Sequence, residues 1–170
     1  IYNFLHSQKI ISEHQSGFKP GDSTVNQLAF LYHTFCEALD KKKDIRIIFC
    51  GISKAFDRVW HSGLIHKMKA VGIDGDLLRL LEDYLSNRQQ CVVIKGQTSS
   101  WGEIGAGVPQ GSVMGPLMFL IYINDLVTSV SDDIIIKLFA DDTLLYFAGN
   151  DHNISSKLLN DNLKKIQKWA

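Results

Sequence analysis

Residues 134–148, IIIKLFADDTLLYFA, decide how the rest of the chain is interpreted. Two apolar, β-rich arms, residues 134–139 and 143–147, flank the pair Asp141-Asp142. Short arms joined by a polar dipeptide predict a β-hairpin with both carboxylates in its turn. Adjacent carboxylates repel each other unless a positive group lies beside them, and a hard cation such as Mg²⁺ favours such ligands. From the dipeptide alone, a metal site and a solvated turn both remain open.

Composition indicates an ordinary globular domain. The 170 residues are 45% hydrophobic and 21% charged, and the formal net charge is zero. Nucleic-acid binding would therefore have to come from local patches. The 3 cysteines form no C-x-x-C pair and the 6 histidines lack ligand spacing, which argues against a disulfide framework or a zinc site.

Two further features concern membrane association and the length of the whole protein. The longest apolar run, residues 113–123, is shorter than the roughly 20 residues that a membrane span needs, so we expect no membrane association. The sequence begins without Met and stops inside an amphipathic pattern, so we expect a fragment of a longer protein.

Patterning along the chain predicts one mixed α+β domain, with helices packed on a small antiparallel sheet. A continuous β-branched run predicts a buried strand over residues 45–50, and loops rich in Gly and Pro cover residues 16–21 and 105–111. Further strands are expected over residues 90–94 and 100–104. Helices are expected up to residue 10, from a cap at residues 22–24 to the lysines at 41–43, and over residues 54–72, 76–86, 112–127 (interrupted at 115–116) and 154–169.

Three segments occur in a fixed order: FCGISKAFD at 49–57, VPQGS at 108–112 and FADD at 139–142. With these spacings the chain resembles the reverse transcriptase domain of non-LTR retrotransposons, LINE elements of the jockey and chicken-repeat type. Residues 14–21, HQSGFKPG, are similar to the fingers motif of that family, and the resemblance covers essentially the whole chain. It implies a right-hand polymerase fold: partial fingers at about 1–43, a palm with fingers elements at about 44–170, and no thumb.

The resemblance implies an RNA-directed DNA polymerase, a nucleotidyltransferase that extends a primer 3′-hydroxyl. Its expected partners are an RNA template, a DNA primer, deoxynucleoside triphosphates and the remainder of a retrotransposon polyprotein. The expected location is intracellular, in cytoplasm and nucleus, within a ribonucleoprotein. In the family two Mg²⁺ ions roughly 4 Å apart stabilise the attacking and leaving oxygens, and Mn²⁺ would suit the same ligands. Asp141 would bind both ions and Asp142 would lie beside them.

The first palm Asp of the family is missing from this chain. The resemblance puts that carboxylate at position 51, where the sequence has Gly51. Asp57 lies beyond the strand and matches a different acidic position of the family, and Asp44 is roughly 20 Å away at 3.3 Å per residue. Loss of one shared carboxylate weakens the stabilisation of the transition state by several kcal/mol. We therefore expect this chain to polymerise poorly or not at all.

Part of the nucleotide-binding set implied by the resemblance follows the strand directly. Phe56 would pack under the incoming sugar and reject a ribose 2′-hydroxyl. The backbone N–H groups of Lys54 and Ala55 would open a helix toward the triphosphate, since helix amino ends bind anions. From patterning alone, a core position at a strand-to-helix turn explains Phe56 equally well.

The remaining members of this set lie elsewhere in the chain. Gln110 and Gly111 would line the nucleotide pocket and the template base, although a plain turn before a capped helix gives the same pattern. Lys19 stands where relatives often have Arg, and it would contact the triphosphate without the bidentate fork of a guanidinium.

Three alternatives to an active polymerase remain open. One is a decayed, non-catalytic palm with residual nucleic-acid binding, and another is a metal-dependent phosphohydrolase that uses Asp141 and Asp142. A phosphohydrolase predicts further His or Asp ligands at close spacing, and the sequence offers none. The third is a helical interaction module, which would need neither the 110–112 loop nor the aromatic turn at Phe56.

Overall fold

The computed structural model describes residues 1–170, and the chain forms two compact units, Ile1–Ser53 with Ile123–Ala170 and Lys54–Tyr122. The helices are α1 (Tyr2–Ser7), α2 (Thr24–Asp40), α3 (His61–Ala70), α4 (Gly75–Leu85), α5 (Met114–Ile123), α6 (Leu126–Ser129) and α7 (His152–Trp169). The strands are β1 (Gln15–Ser16), β2 (Asp44–Gly51), β3 (Arg88–Gln90), β4 (Val93–Ile94), β5 (Gln97–Thr98), β6 (Gly102–Ile104), β7 (Ile135–Phe139) and β8 (Asp142–Gly149). A 3₁₀ turn covers Phe56–Arg58.

The first unit is built on a four-stranded sheet in the order β1-β7-β8-β2. The β7–β8 hairpin is antiparallel, and β2 runs antiparallel to β8 over its whole length. The short β1 pairs with β7 in parallel. Since paired residues share a face and successive residues alternate, each strand presents one set of side chains to each side.

Helix α2 packs on one face of this sheet. Leu31 contacts the buried side chains of Leu144 and Tyr146, and the Phe35 ring meets the Tyr146 ring edge-on at 5.5 Å. The helix begins at Ser23, whose hydroxyl accepts a hydrogen bond from the backbone N–H of Asn26, which satisfies one of the free donors of the first turn. The helix therefore has both a start signal and a buried face.

Helix α7 is also amphipathic and belongs to the same unit. The Asp151 carboxylate accepts hydrogen bonds from the backbone N–H groups of Ile154 and Asn153, which lower its pKa. Leu159 and Ile166 are buried, and Arg46 of β2 donates a hydrogen bond to the Ser156 hydroxyl. This helix is thus tied to the strand that ends at Gly51.

The second unit consists of three helices and two short ribbons. Helices α3 and α4 pack together, with Leu64, Met68, Leu81 and Leu85 buried. The ribbons are β3 with β6 and β4 with β5. Most of α5 also lies here, and Phe119 is almost fully buried. No helix of the chain is long and apolar enough to cross a membrane.

The structure corrects several sequence-based boundaries. Asp142 opens β8, so the turn is Ala140-Asp141 rather than the Asp pair. The 115–116 step does not interrupt a helix, because Pro116 lies in the first turn of α5, where its missing N–H is harmless. The sheet is mixed rather than antiparallel only, since the short β1, which was not predicted, pairs with β7 in parallel. The predicted 90–104 strand pair is two separate ribbons.

The hydroxyl of Thr143 is buried in the hairpin without a hydrogen-bond partner. Thr143 is 2% exposed, and its Oγ1 is unsatisfied. An unpaired buried hydroxyl destabilises a fold, and an apolar group of the same shape removes that cost. We predict that Thr143→Val raises the free energy of unfolding by about 1 kcal/mol, measured by urea denaturation. A lower free energy of unfolding would contradict the prediction.

Candidate functional site

The last pair of the β2–β8 ladder brings together two of the positions singled out from the sequence. Gly51 is directly opposite Asp142, which is also paired with Phe139 of β7. Cβ atoms of residues opposite each other in an antiparallel pair are about 4.5–5.5 Å apart. A side chain at position 51 would therefore lie beside Asp142 on the same face of the sheet. Asp141 lies in the adjoining turn and is half-buried.

The fold does not require glycine at position 51. A Cβ atom built there meets no atom within 4 Å, and the backbone is outside the left-handed region that favours glycine. The residue is exposed at the end of β2. Neither packing nor backbone conformation therefore explains why a side chain is absent here.

The carboxylates present do not amount to the metal-binding set of the family. Asp141 and Asp142 supply oxygen ligands of the type that hard divalent cations prefer. The resemblance adds a third carboxylate at position 51, and that is Gly51. No group of three or more His, Cys, Asp or Glu side chains in the chain is arranged to hold a metal ion. The donor set fits the two-metal arrangement only in part.

A cavity of about 380 Å³ adjoins this end of the sheet. It lies between the first turns of α2 and the face that carries Asp142, and Leu28, Phe49 and Gly51 are among its lining residues. Most of its wall is apolar. An apolar surface therefore lies beside the Asp142 carboxylate.

Lys137 is a charged residue of this cavity that sequence reasoning missed. Its ammonium lies 4.2 Å from the centre of the Phe30 ring, and burial lowers its pKa. The alternation of β7 places Lys137 on the same face as Phe139. A lone Lys in the otherwise apolar arm 134–139 was the signal that could have identified it.

Lys19 also belongs to the first unit. Its ammonium donates hydrogen bonds to the backbone carbonyls of Gln15, at 2.9 Å, and Ser12, at 3.5 Å. These contacts close the loop that carries the HQSGFKPG motif. Contact between Lys19 and a triphosphate stays a prediction.

In the second unit, the 3₁₀ turn and the 105–111 loop lie side by side. The N–H of Val108 donates to the carbonyl of Phe56 at 2.8 Å, and the N–H of Gly107 donates to that of Val59 at 2.8 Å. The Gln110 side-chain amide donates to the Asp57 carboxylate at 2.8 Å. Two motifs that are more than fifty residues apart in sequence are thus held together.

Phe56 and Lys54 of the predicted nucleotide set lie in this same region. The Phe56 ring stacks on the Phe119 ring with centroids 4.3 Å apart, so a packing role and a sugar-facing role are both compatible with its position. Lys54 and Gln110 line a cavity of about 660 Å³. Arg88 also lines this cavity, and it was not predicted from the sequence. Arg88 donates to the Tyr84 carbonyl and lies over the Tyr84 ring.

One feature of the predicted anion site is wrong. Lys54 and Ala55 do not open an α-helix, because Phe56–Arg58 is a single 3₁₀ turn and α3 begins only at His61. Lys54 has a positive φ of 53°, and Ala55 is buried. Gly111 also has a positive φ, 78°, which only glycine adopts without strain.

The structure therefore collects the predicted residues into two groups. Gly51, Asp141, Asp142 and Lys19 lie in the first unit, and Lys54, Ala55, Phe56, Gln110 and Gly111 lie in the second.

Solved structures with a similar backbone define the class of fold. The telomerase of Candida tropicalis, in complex with a TWJ fragment of telomeric RNA, matches 99% of this chain over 30% of its own length, with a TM-score of 0.69 and 15% identity. The telomerase of Candida albicans, solved with the corresponding fragment, matches 93% of the chain with a TM-score of 0.65 and 12% identity. At this identity the likeness concerns the fold, an α+β arrangement of sheet and packed helices of the reverse transcriptase type.

Sequence comparison identifies the family. Residues 1–170 match the family described as reverse transcriptase (RNA-dependent DNA polymerase), and the chain belongs to that family. In Drosophila melanogaster, the probable RNA-directed DNA polymerases of transposon BS and of the X-element are 32% and 33% identical over all of this chain. The RNA-directed DNA polymerase of the mobile element jockey is 34% identical over 95% of it. The chain spans 18–19% of the length of these relatives.

These comparisons confirm the resemblance to non-LTR retrotransposon polymerases, and they leave the individual site residues untested. Members of the family are nucleotidyltransferases that use divalent metal ions. Family membership also weakens the case for a phosphohydrolase or a helical interaction module, since neither explains a match over the whole chain.

The close approach of the 105–111 loop to the 3₁₀ turn depends on one glycine. A Cβ atom at Gly107 would lie 2.8 Å from the Asp57 carbonyl oxygen, and Gly107 has a φ of 93°. We predict that Gly107→Ala lowers the free energy of unfolding by roughly 3 kcal/mol, because it combines overpacking with a strained backbone.

The matched control is Gly105→Ala in the same loop, where a Cβ atom meets nothing within 4 Å. It should leave the unfolding midpoint within error of the parent protein, as measured by circular dichroism during thermal and urea denaturation. Equal effects of the two substitutions would contradict the packing argument.

Proposed function

We propose that this chain is the palm and partial fingers of an RNA-directed DNA polymerase whose nucleotidyl transfer is impaired by Gly51. The observation that supports this proposal is the register Gly51–Asp142, which puts an unoccupied side-chain position beside a carboxylate at the tip of the sheet. A carboxylate at that position would complete a cluster with Asp141 and Asp142. Without it the three-carboxylate set of the family is reduced to two neighbouring residues.

The proposed substrates are an RNA template, a DNA primer and deoxynucleoside triphosphates, bound by a longer protein of which this chain is one part. Phe56 is proposed to face the incoming sugar, and Gln110 to face the paired base. The Asp57 carboxylate orients the Gln110 amide and leaves its oxygen free to accept a hydrogen bond.

We also propose the triphosphate contacts, the metal ion and the cellular location that accompany this function. Lys54 and Ala55 of the second unit and Lys19 of the first are each proposed to contact the triphosphate, and Gly111 to line the nucleotide pocket with Gln110. Mg²⁺ is the proposed ion, because it favours a few carboxylates together with substrate phosphates, and Mn²⁺ is the substitute accepted by the same ligands. The proposed location is a retrotransposon ribonucleoprotein in cytoplasm and nucleus.

A second candidate function is a non-catalytic palm that retains nucleic-acid affinity. Gly51 favours it, since the fold tolerates the missing carboxylate without any packing defect. The two candidates differ in whether primer extension can be restored by one side chain.

We predict that Gly51→Asp restores primer extension. Residues 1–170, with and without the substitution, replace the matching segment of the jockey polymerase, and extension is measured on a poly(rA)–oligo(dT) template. Recovery of about 3 kcal/mol of transition-state stabilisation corresponds to a rate increase of roughly 100-fold. The Gly51→Asn variant has almost the same size without the charge, and it should stay at the level of the parent.

Asp141→Ala in the Gly51→Asp background should abolish the recovered activity. Equal rates for the Gly51 and Gly51→Asp proteins would mean that another carboxylate completes the site, and the impairment would be refuted. If no folded variant extends the primer, the polymerase proposal fails and the non-catalytic palm is the better description.

A further inference from the structure

The turn that carries Asp141 contains a residue in an unfavourable backbone conformation. Ala140 has a φ of 55°, and it is the first of the two residues that link β7 to β8. Positive φ at this position of a two-residue hairpin is normally supplied by glycine. A non-glycine residue stays in such a conformation only when its surroundings hold it there.

The side chain of Gln15 supplies part of that restraint. Its Oε1 accepts a hydrogen bond from the N–H of Ala140 at 3.0 Å, which the Ser16 carbonyl also accepts at 3.0 Å, and its Nε2 donates one to the Ala140 carbonyl at 3.2 Å. Gln15 is 1% exposed and Ala140 is 7% exposed, so water does not compete for these groups. One planar amide thus holds the two peptide groups on either side of the Ala140 Cα.

Gln15 is itself held in place. It pairs with Leu138 in the parallel β1–β7 ladder, and its own carbonyl accepts a hydrogen bond from the Lys19 ammonium at 2.9 Å. A Cβ atom at Gly17 would be 3.1 Å from the nitrogen of Ala140, which shows how closely this segment passes the turn. The Gln15 side-chain amide is therefore attached to a backbone segment that is itself held in place.

We propose that Gln15 is a positioning residue of the candidate site, which fixes Ala140 and thereby the directions of Asp141 and of the first residue of β8, Asp142. The Ala140 carbonyl, to which Gln15 donates, is part of the peptide group that contains the Asp141 nitrogen. Rotation of this peptide plane would therefore change the direction of the Asp141 carboxylate. A side-chain amide offers a donor and an acceptor side by side in one plane, as this contact uses them, and Asn is one methylene shorter than Gln. The metal-binding role of Asp141 rests on the proposed function, whereas the restraint of Ala140 by Gln15 does not.

The first test follows the turn in the whole chain by ¹⁵N NMR. Gln15→Leu removes both side-chain hydrogen bonds and leaves the bond from the Ala140 N–H to the Ser16 carbonyl. We therefore expect Gln15→Leu to shift the Ala140 signal and to broaden the Asp141 signal, because the peptide group between these residues loses the bond to its carbonyl. Gln15→Glu also lacks this donor, and it should affect the Asp141 signal as Gln15→Leu does. The control is Thr143→Val, which alters an unpartnered buried hydroxyl of the same hairpin and should leave both signals unchanged.

A double-mutant cycle separates positioning from general stability. Glycine adopts positive φ without strain, so Ala140→Gly should reduce the loss of stability that Gln15→Leu causes. The double mutant also gives a result if Gln15→Leu alone does not fold. Additive effects, or a folded Gln15→Leu protein with unchanged Ala140 and Asp141 signals, would overturn the proposal.

The last measurement connects the restraint to the site. Mn²⁺ affinity, from water-proton relaxation, is compared between the Gly51→Asp protein and the same protein with Gln15→Leu. Loss of a residue that orients a metal ligand lowers affinity by about 10–100-fold. If Gly51→Asp binds Mn²⁺ and the added substitution changes nothing, Gln15 has no positioning role. If Gly51→Asp gains no Mn²⁺ affinity, the proposed function is at fault, and the amide measurements still decide the role of Gln15.

Discussion

The antiparallel register between β2 and β8 is the constraint on which the first unit depends. The ladder runs from the pair Asp44–Gly149 to the pair Gly51–Asp142 without a bulge. Because side chains alternate along a strand, a slip by one residue would move Asp142 to the opposite face and expose Leu144 and Tyr146. The same hydrophobic packing that buries Tyr146 under α2 therefore also decides where the carboxylate points.

Both units use hydrogen bonds to fix a residue with positive φ in or next to one of the three motifs. In the first unit a buried amide binds both sides of Ala140. In the second, Gly107 precedes the VPQGS motif, and its N–H donates to the carbonyl of Val59. Ala140 is strained in this conformation and needs the contacts that hold it. Gly107 adopts it without strain, and glycine is required there by the close approach of Asp57.

Much of this arrangement could be predicted from the sequence because it depends on local patterning. The β-branched run before Gly51 and the two apolar arms of the hairpin gave the strands, and three motifs in order gave the family. The parallel pairing of β1 could not be predicted, since Gln15–Ser16 is a two-residue strand inside a segment rich in Gly and Pro. The Gln15–Ala140 contact joins residues 125 apart, and no local signal encodes such a pair. The Asp57–Gln110 bond was missed for the same reason.

The position of Gly51 also shows that folding does not depend on a side chain at this end of the sheet. Carboxylates brought together at the tip of a sheet repel one another, and without a bound cation each addition makes the folded state harder to form. Glycine at an exposed strand end gives up some backbone rigidity, about 0.5–1 kcal/mol relative to alanine, but it also removes one of these like charges. No core side chain packs against position 51, so the hydrophobic contacts of the sheet are the same with or without the carboxylate. The charge at position 51 on which the proposed function depends is thus separable from folding stability, because stability depends on the ladder beneath it.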